Sequence, residues 1–477
     1  MRRVRHSLWL LLTLVGTAAV AETPPVISRD WGPFYSTWTD VHGNQRTRYL
    51  GPVGEHMVSP EEDTLHAVRP FYHSWRVEDQ DKRRTEVLWP LYSRRSNEER
   101  VYWRFLLTFF WNWDVADPDS RWRIWSLPFY FQGRDTDGES YLAVFPLAGR
   151  IHEFFFWDRI DFTLFPFYVK SQLNEIEATS YLWPFYSRTT GPGLERFRVF
   201  PFYGYSEKEG VGRKTFVMWP FWNQVRYTLP KSQGKGWILF PLLGHLKLTD
   251  QESWWFLPPI FRYAIGEEQN RLYGPWPIIQ KEEGEVDKFY IFPLYGRKQH
   301  AGVDRQFLLW PVGHYEKSVQ GTGIKTKWFV VPFVQRFKET PSEALGGKAQ
   351  SSSYIKIWPL FSHLSKEDGD VRRTSFLDLN PLRGGPVERN YAPFWQIYVR
   401  SQVRDRVDTE VLWGLYRSAA RGDDYRYRSL FPLFSWSRGE DEGHFSLLKG
   451  LLSRHREGEK RVWQVLYLFK FGDKETD

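Results

Sequence analysis

The chain has 477 residues, contains no cysteine and carries a formal net charge of +8. The absence of cysteine excludes disulfide bonds and thiolate zinc sites, and beyond the N-terminal segment no apolar stretch reaches the length of a membrane-spanning helix. Basic and acidic residues alternate along the chain, and this even distribution argues against nucleic-acid binding, which needs a clustered basic face.

The first 21 residues have the pattern of a secretory signal peptide. Arginines at positions 2, 3 and 5 precede an apolar run over residues 7–20, which ends in the small-residue sequence Ala19-Val20-Ala21. An uncleaved anchor helix is the alternative, but the run is shorter than the roughly 20 residues that span a bilayer. We therefore expect an exported protein cleaved after Ala21, whose net charge falls from +8 to +5 with the loss of the three arginines.

The remaining chain, residues 22–477, is predicted to be a single repeat domain. A Trp-Pro or Phe-Pro pair, followed by Tyr or Trp and often by Ser or Gly, recurs every 16 to 21 residues, roughly, as at Pro184, Pro201 and Pro220. The copies near both ends are imperfect, as terminal repeats usually are. We count about 21 or 22 units, separated by charged segments that contain Gly.

Each apolar block has the composition of a β-strand, and its central proline would break a helix. The sequence predicts one strand per block and a polar turn between blocks, and therefore an all-β, antiparallel up-and-down meander of about 20 to 22 strands. The alternation of Trp183, Phe200, Trp219 and Phe240 fits successive strands that run in opposite directions. The low-complexity segment 338–353 is predicted to be a mobile loop.

A large β-barrel is the architecture that this meander favours, with a flattened β-sandwich or a β-repeat solenoid as alternatives. A propeller is disfavoured because its blades repeat every 40 to 50 residues, roughly. In the block KFYIFPLYGRKQ, residues 288–299, the apolar middle would extend about 23 Å, close to the apolar band of about 25 Å on outer-membrane barrels. Both faces of this block are apolar, however, and Pro293 at its centre would leave a kink or bulge.

The signal peptide, the repeated aromatic strands and the absence of cysteine together resemble bacterial outer-membrane β-barrel proteins as a class. This resemblance implies a porin-like transport protein of the outer membrane, in contact with outer-membrane lipid, that acts as a pore or conduit for an apolar or amphiphilic molecule, or as a structural barrel. The alternative is a periplasmic or surface-exposed β-repeat scaffold or binding protein. The oligomeric state stays open.

No enzyme motif is present, so the sequence predicts no catalytic residue, no cofactor and no metal site. The twelve histidines are scattered without the spacing of metal ligands. Two acidic clusters, over residues 114–119 and 135–139, have oxygen ligands that calcium prefers, but both lack the rest of a calcium loop. We interpret both clusters as solvated turns.

Overall fold

A computed structural model describes residues 27–115, 117, 120–342, 350–381, 385–440 and 442–472. The predicted signal peptide, residues 1–21, lies outside the described residues.

The described chain is built almost entirely of short β-strands. The first sixteen are β1 (Arg29–Trp31), β2 (Tyr35–Thr39), β3 (Gln45–Tyr49), β4 (Gly54–Val58), β5 (Thr64–Val68), β6 (Tyr72–Val77), β7 (Lys82–Val87), β8 (Tyr92–Ser96), β9 (Arg100–Phe105), β10 (Phe109–Asp114), β11 (Trp122–Ser126), β12 (Tyr130–Arg134), β13 (Ser140–Val144), β14 (Ala148–Phe154), β15 (Trp157–Thr163) and β16 (Tyr168–Leu173). The next sixteen are β17 (Ile176–Tyr181), β18 (Tyr186–Gly191), β19 (Leu194–Val199), β20 (Tyr203–Lys208), β21 (Gly212–Val217), β22 (Trp222–Leu229), β23 (Ser232–Leu239), β24 (Leu243–Leu248), β25 (Gln251–Phe256), β26 (Phe261–Gly266), β27 (Gln269–Tyr273), β28 (Ile279–Gly284), β29 (Asp287–Ile291), β30 (Tyr295–His300), β31 (Val303–Leu308) and β32 (Gly313–Gln320). The last fourteen are β33 (Gly323–Val330), β34 (Val334–Pro341), β35 (Ser352–Ile357), β36 (Phe361–Lys366), β37 (Val371–Phe376), β38 (Tyr398–Val403), β39 (Arg406–Val411), β40 (Tyr416–Arg421), β41 (Tyr425–Leu430), β42 (Phe434–Arg438), β43 (Glu442–Leu447), β44 (Leu452–Glu457), β45 (Lys460–Val465) and β46 (Phe469–Gly472).

Two short α-helices, α1 (Gly385–Asn390) and α2 (Ala392–Trp395), lie between β37 and β38. Three single 3₁₀ turns cover Glu367–Gly369, Leu412–Gly414 and Leu448–Gly450. Among the described residues, no helix has the length and apolar character needed to cross a membrane.

All 46 strands belong to one antiparallel sheet, and each strand pairs with its neighbours in the sequence. The predicted all-β up-and-down meander is therefore confirmed. Within the described part of the chain, β1 pairs only with β2 and β46 pairs only with β45, so backbone hydrogen bonds do not join the two ends of the sheet. The predicted number of about 20 to 22 strands is wrong by a factor of about two.

The count doubles because the prolines lie in turns and not at strand centres. Pro201 lies between the last residue of β19, Val199, and the first residue of β20, Tyr203. Proline cannot donate a hydrogen bond to a strand ladder, so a turn is the place where it breaks no pairing. Each repeat of about 19 residues is therefore a pair of strands, and the predicted kink or bulge at Pro293 inside a strand is wrong, since Pro293 lies in the turn between β29 and β30.

The charged segments between the blocks are also mostly strand. Each contains two polar half-strands joined by a turn that is often only two residues long, as between β16 and β17 and between β30 and β31. Asn174 in the first of these turns has φ 51°, and Ala301 and Gly302 in the second have φ 46° and 76°. Positive φ at these positions is typical of tight hairpin turns whose twist matches the flanking strands.

The sheet consequently has two long edges of opposite character. The turns that follow every second strand, most of which contain proline, all lie on one edge, the Pro-turn edge, while the polar turns lie on the other, the polar edge. Along the Pro-turn edge the ring of Phe200 lies 5.5 Å from that of Trp219, and Phe292 lies 5.4 Å from Trp310. The alternation of Trp and Phe thus places unlike rings side by side along one edge, and our attribution of it to opposite strand directions is wrong.

The predicted loop over residues 338–353 is shorter than expected. Its first residues extend β34, and Ser352 and Ser353 begin β35. Residues 343–349 lie outside the described part of the chain.

Strand register divides the sheet into an inner and an outer face. In each strand, the residue next to the Pro-turn edge points to the outer face, and the line of these cross-strand partners is called the outer row. The next residue along each strand points to the opposite face, and the line of these residues is called the inner row. The inner row runs without interruption from Asp30 in β1 to Lys470 in β46. Most fully buried residues near the Pro-turn edge belong to it, among them Ala67, Ala143 and Ser429.

The inner face is concave. The Nε1 of Trp125 in β11 donates to the hydroxyl of Tyr141 in β13 at 3.0 Å, across the intervening strand β12. The Nη1 of Arg271 in β27 likewise donates to Gln251 in β25 at 3.0 Å. Strands two positions apart are separated by about 9.5 Å, so such contacts require long side chains on a face that curves inwards.

The two ends of the sheet meet through their inner faces, in a contact that we call the clasp. The hydroxyl of Tyr427 in β41 donates to Oδ2 of Asp30 in β1 at 2.7 Å, and Arg48 in β3 pairs with Glu410 in β39. Near α1, Arg389 contacts Glu86 in β7 at 2.7 Å. Because the same face is used at both ends, the sheet curls back on itself with its inner face inside.

Candidate functional site

The outer row is uncharged over the whole length of the sheet and is mostly apolar or aromatic, with hydroxyl residues at Ser126 and Thr163. Its cross-strand partners run from Trp31 to Phe261 and again from Ile279 to Phe469, and none of them carries a charge. Many are exposed, including Phe256 at 57%. An apolar surface this continuous is far larger than the patches of a few hundred Å² found on soluble monomers.

The tips of the proline turns extend this apolar surface beyond the strands. The residue after the proline points outwards in most turns, with exposures of 59% at Phe202, 54% at Leu242 and 55% at Leu294. The whole Pro-turn edge is thus covered by exposed aromatic and aliphatic side chains.

Polarity on the outer face increases from the Pro-turn edge to the polar edge. Two residues further along each strand, a second outer-face line combines aromatic residues such as Trp237 and Trp254 with cations such as Arg297. The next line is strongly charged in the middle of the sheet, with Arg226 paired to Lys235. Apolar, then aromatic and cationic, then charged is the order of side chains found from the interior to the surface of a bilayer.

The apolar part of the sheet is too short to cross a bilayer. Lines on one face are about 7 Å apart, so the turn tips and the outer row together cover about 10 to 12 Å. The strands contain 3 to 8 residues, fewer than the 9 to 11, roughly, of a membrane-spanning strand. Residues 288–299, which we expected to form one extended strand, fold as the hairpin of β29 and β30, with Phe292 and Leu294 in the turn and Ile291 paired with Tyr295.

A cavity of about 600 Å³ opens on the inner face between β18 and β26. Four cationic side chains line it, namely Arg196, Arg198, Lys214 and Arg262, and no carboxylate is among its described lining residues. An apolar group from β21 to β25 lines the middle: Phe216, Val225, Ile238, Leu246 and Trp255. This arrangement can accommodate a molecule with both an anionic and an apolar part.

Sequence reasoning missed these cavity residues. The block-and-turn interpretation placed Arg196, Arg198 and Lys214 in or beside solvent-exposed turns. The pattern that could have found them is the alternation of inner-face and outer-face residues within β19 and β21. This pattern can be recognised only once the proline is assigned to a turn and the following Tyr to the first position of a strand.

The acidic clusters do not form metal sites in the described structure. Asp135 is buried and accepts the backbone N–H groups of Asp137 and Glu139 at 3.0 and 2.9 Å, and its carboxylate contacts His152. It therefore shapes a turn, and our interpretation of this cluster as solvated is wrong for Asp135. In the other cluster Asp114 pairs with Arg100 at 2.8 Å.

The histidines include one close pair that their sequence spacing does not reveal. His56 and His66 are cross-strand partners on β4 and β5, with their Nδ1 atoms 3.1 Å apart. Throughout the part of the chain that the structure describes, no group of three or more His, Asp or Glu side chains is arranged to hold a metal ion.

A comparison of the sequence with models of known protein families finds no match, and a comparison with curated protein sequences finds none either.

Proposed function

We propose that this protein is a non-enzymatic component of the bacterial outer membrane that inserts its Pro-turn edge into one lipid leaflet and holds an amphiphilic molecule on its concave inner face. The observation that carries this proposal is the outer row, which lacks a charged side chain from one end of the sheet to the other. The predicted signal peptide supports export to that compartment.

The depth of the apolar surface favours insertion into a leaflet over a spanning barrel. About 10 to 12 Å of apolar height is slightly more than the 5 to 10 Å reached by interfacial helices and less than half of a hydrocarbon core of about 30 Å. The aromatic and cationic second line would then lie at the headgroups, and the charged polar edge would lie in water.

Curvature supports a role in binding or conduction. The inner face is shielded from lipid by the sheet itself, so its Ser, Gly and Arg residues need not contact hydrocarbon. A molecule on this face would lie beside the membrane without dissolving in it, which suits the transfer or storage of an amphiphile.

Flotation with vesicles of phosphatidylcholine tests the membrane part of the proposal. The wild-type chain is expected to float with the vesicles and to resist extraction by carbonate. Replacing two turn-tip residues, Phe202→Lys together with Leu242→Lys, should weaken the association at least tenfold, since each charge must leave water or pull its turn out of the lipid.

The control places the same two charges on the polar edge, as Thr228→Lys together with Gln233→Lys, and should float like the wild type. All four positions are exposed, so circular dichroism should show unchanged strand content. A wild-type chain that stays in the aqueous fraction without detergent would contradict the proposal and favour the soluble scaffold.

A further inference from the structure

We propose that the cavity between β18 and β26 binds the phosphate headgroup and acyl chain of an anionic lipid. This inference rests on the proposed function, because it specifies which amphiphile the inner face holds.

The headgroup part of the site is a notch over β20. On the inner face, the half of β20 next to the Pro-turn edge contributes only Gly204 and Ser206, whose partners are Arg198 and Arg196 on β19, while Lys208 follows near the polar edge. On the other side of β20, Ser206 is the partner of Lys214 on β21. This half of β20, which has almost no inner-face side chain, thus lies between two strands that carry three cations, and the space above it is flanked by positive charge.

These cations lack acidic partners. None of Arg196, Arg198 and Lys214 forms an ion pair with a carboxylate among the described residues, whereas cations elsewhere on the inner face do, such as Arg48 with Glu410. The Nε of Arg196 donates to the hydroxyl of Ser206 at 3.0 Å, which fixes the arginine beside the notch. The Nε of Arg198 is buried and has no hydrogen-bond acceptor.

Hydroxyl groups complete the polar part of the notch. Ser187 and Thr189 on β18 are the inner-face partners of Arg198 and Arg196 and also line the cavity. Guanidinium, ammonium and hydroxyl donors around one space are the groups that recognise a phosphate, whose oxygens accept several hydrogen bonds at once. The excess of three positive charges makes a neutral ligand a poor fit.

The chain part of the site continues along the sheet from the notch. Phe216 is the partner of Gly204, and its ring lies against that glycine, where a Cβ would come within 2.5 Å of it. Beyond it, Val225, Ile238 and Leu246 on three successive strands form an apolar floor. An acyl chain laid across these strands would keep its phosphate beside β20 and its methylene groups on the floor.

The fourth cation of the cavity closes the far end of the floor. Arg262 on β26 stacks on Trp255, with its guanidinium 4.9 Å from the ring centroid, and its buried Nε has no acceptor. Aromatic stacking holds this cation flat against the wall of the cavity. The floor is therefore bounded by positive charge on both sides, which favours an anionic lipid over an uncharged one.

The test is a lipid titration of the full chain in a neutral detergent, monitored by tryptophan fluorescence, because the inner-row residue Trp255 lines the cavity. Oleoyl lysophosphatidic acid should bind at one molecule per chain. Oleoyl lysophosphatidylcholine, with the same acyl chain and a zwitterionic headgroup, should bind at least tenfold more weakly. Inorganic phosphate should compete only at far higher concentrations, because it lacks the chain.

The variant that removes the notch charges is Arg196→Gln with Arg198→Gln and Lys214→Gln, and it should weaken lysophosphatidic acid binding at least tenfold. The matched control, Arg226→Gln with Lys235→Gln and Lys247→Gln, removes three charges from the outer face of neighbouring strands and should bind within twofold of the wild type. Equal binding by the notch variant, equal binding of the zwitterionic lipid, or competition by inorganic phosphate at equal concentration would each overturn the proposal.

The same notch variant separates this inference from the proposed function. It should float with phosphatidylcholine vesicles like the wild type, because its substitutions leave the Pro-turn edge intact. Failure of the wild type to float would contradict the proposed insertion of the Pro-turn edge into the membrane. Normal flotation without selective binding of lysophosphatidic acid would contradict only the lipid site.

Discussion

At the scale of single residues, ion pairs beside the clasp show how charges can be buried without disulfide bonds. Their Arg69 also donates through Nε to the backbone oxygen of Arg389 in α1 at 2.9 Å. Burial alone would raise the pKa of the Glu55 carboxyl, but the guanidinium groups of Arg46 and Arg69 outweigh it and hold that pKa well below its usual range. The Nη2 of Arg69 lies 2.7 Å from Oε2 of Glu55, and both side chains are almost fully buried. Such a pair is costly to break, since either partner alone would be an uncompensated buried charge.

His73 in β6 gives the folded protein a defined response to acid. The side chain is only 1% exposed, and its burial, reinforced by the positive charge of Arg69, lowers its pKa to about 4. In the unfolded chain the pKa is about 6.5, so between these values the unfolded state binds the additional proton and folding becomes less favourable as the pH falls. Between pH 7 and pH 5 this single group should remove about 2 kcal/mol of stability.

The corresponding experiment is denaturant unfolding of the wild type and of His73→Gln at both pH values. The variant should lose the additional decrease of about 2 kcal/mol that the histidine causes. His300→Gln, at an exposed histidine, should retain the wild-type difference between the two pH values. An identical pH dependence in wild type and His73→Gln would show that His73 becomes protonated in the folded state without cost.

At the scale of elements, the sequence predicted the class of secondary structure correctly and its boundaries incorrectly. Strand composition, the absence of a helical period and the regular repeat lead to the all-β meander without the structure. The sequence analysis predicted half the true number of strands because each strand is apolar at one end and charged at the other. Each apolar run therefore covers a turn and the adjoining ends of two strands, and not one whole strand. Alternation, the usual strand signal, is overridden by this gradient along the strand.

The inner-face cavity could not be predicted for a related reason. Assigning Arg198 and Gly204 to opposite positions of one row requires the register of β19 and β20, and a one-residue error moves every side chain to the other face. The proline turns fix that register, but only after the proline itself has been placed outside the strands. The clasp requires contacts between residues more than 300 positions apart, which no local pattern contains.

Helix α1 supplies a testable link between the two ends of the sheet. Glu86 in β7 is 1% exposed and accepts hydrogen bonds from Arg389 and from the amide of Asn390, each at 2.7 Å. Arg389→Ala should destabilise the clasp by about 3 to 5 kcal/mol, because it leaves the carboxylate buried with one neutral donor. Hydrogen exchange of the backbone amides in β6 and β7 measures the loss locally.

Two further variants show whether that loss comes from the buried charge. Arg426→Ala removes an arginine from an exposed pair with Asp423 and should cost less than about 1 kcal/mol. Glu86→Gln in the Arg389→Ala background removes the unpaired charge and should restore part of the lost protection. A double variant as unprotected as Arg389→Ala would mean that the arginine acts through packing and not through charge.

At the scale of the whole molecule, one gradient organises the sheet. The same end of every strand is apolar, so the proline turns form a continuous line along the sheet, and the curl closed by the clasp turns this line into a rim. In the proposed leaflet insertion, such a rim would bury apolar area in proportion to the number of turns, while the inner face would keep its polar groups away from lipid. Under this proposal, different parts of each repeat would stabilise the strands and attach the protein to a membrane.

If the rim lies in one plane at one depth, labels on widely separated proline turns must report the same lipid environment. The absence of cysteine allows single labels without background, and Phe71→Cys, Phe202→Cys, Leu294→Cys and Leu433→Cys place an environment-sensitive fluorophore at exposed turn tips along the sheet. On phosphatidylcholine vesicles the emission of all four labels should shift to the blue. A spin label at a shallow acyl position should quench this emission more than a spin label at the chain end.

The control labels at Glu175→Cys and Lys231→Cys, on the polar edge, should stay in water. A spanning barrel would instead expose the turn tips to a quencher trapped inside the vesicles, and a soluble scaffold would leave both sets of labels in water. A leaflet-inserted rim is the arrangement in which the turn tips respond to lipid and to neither aqueous compartment.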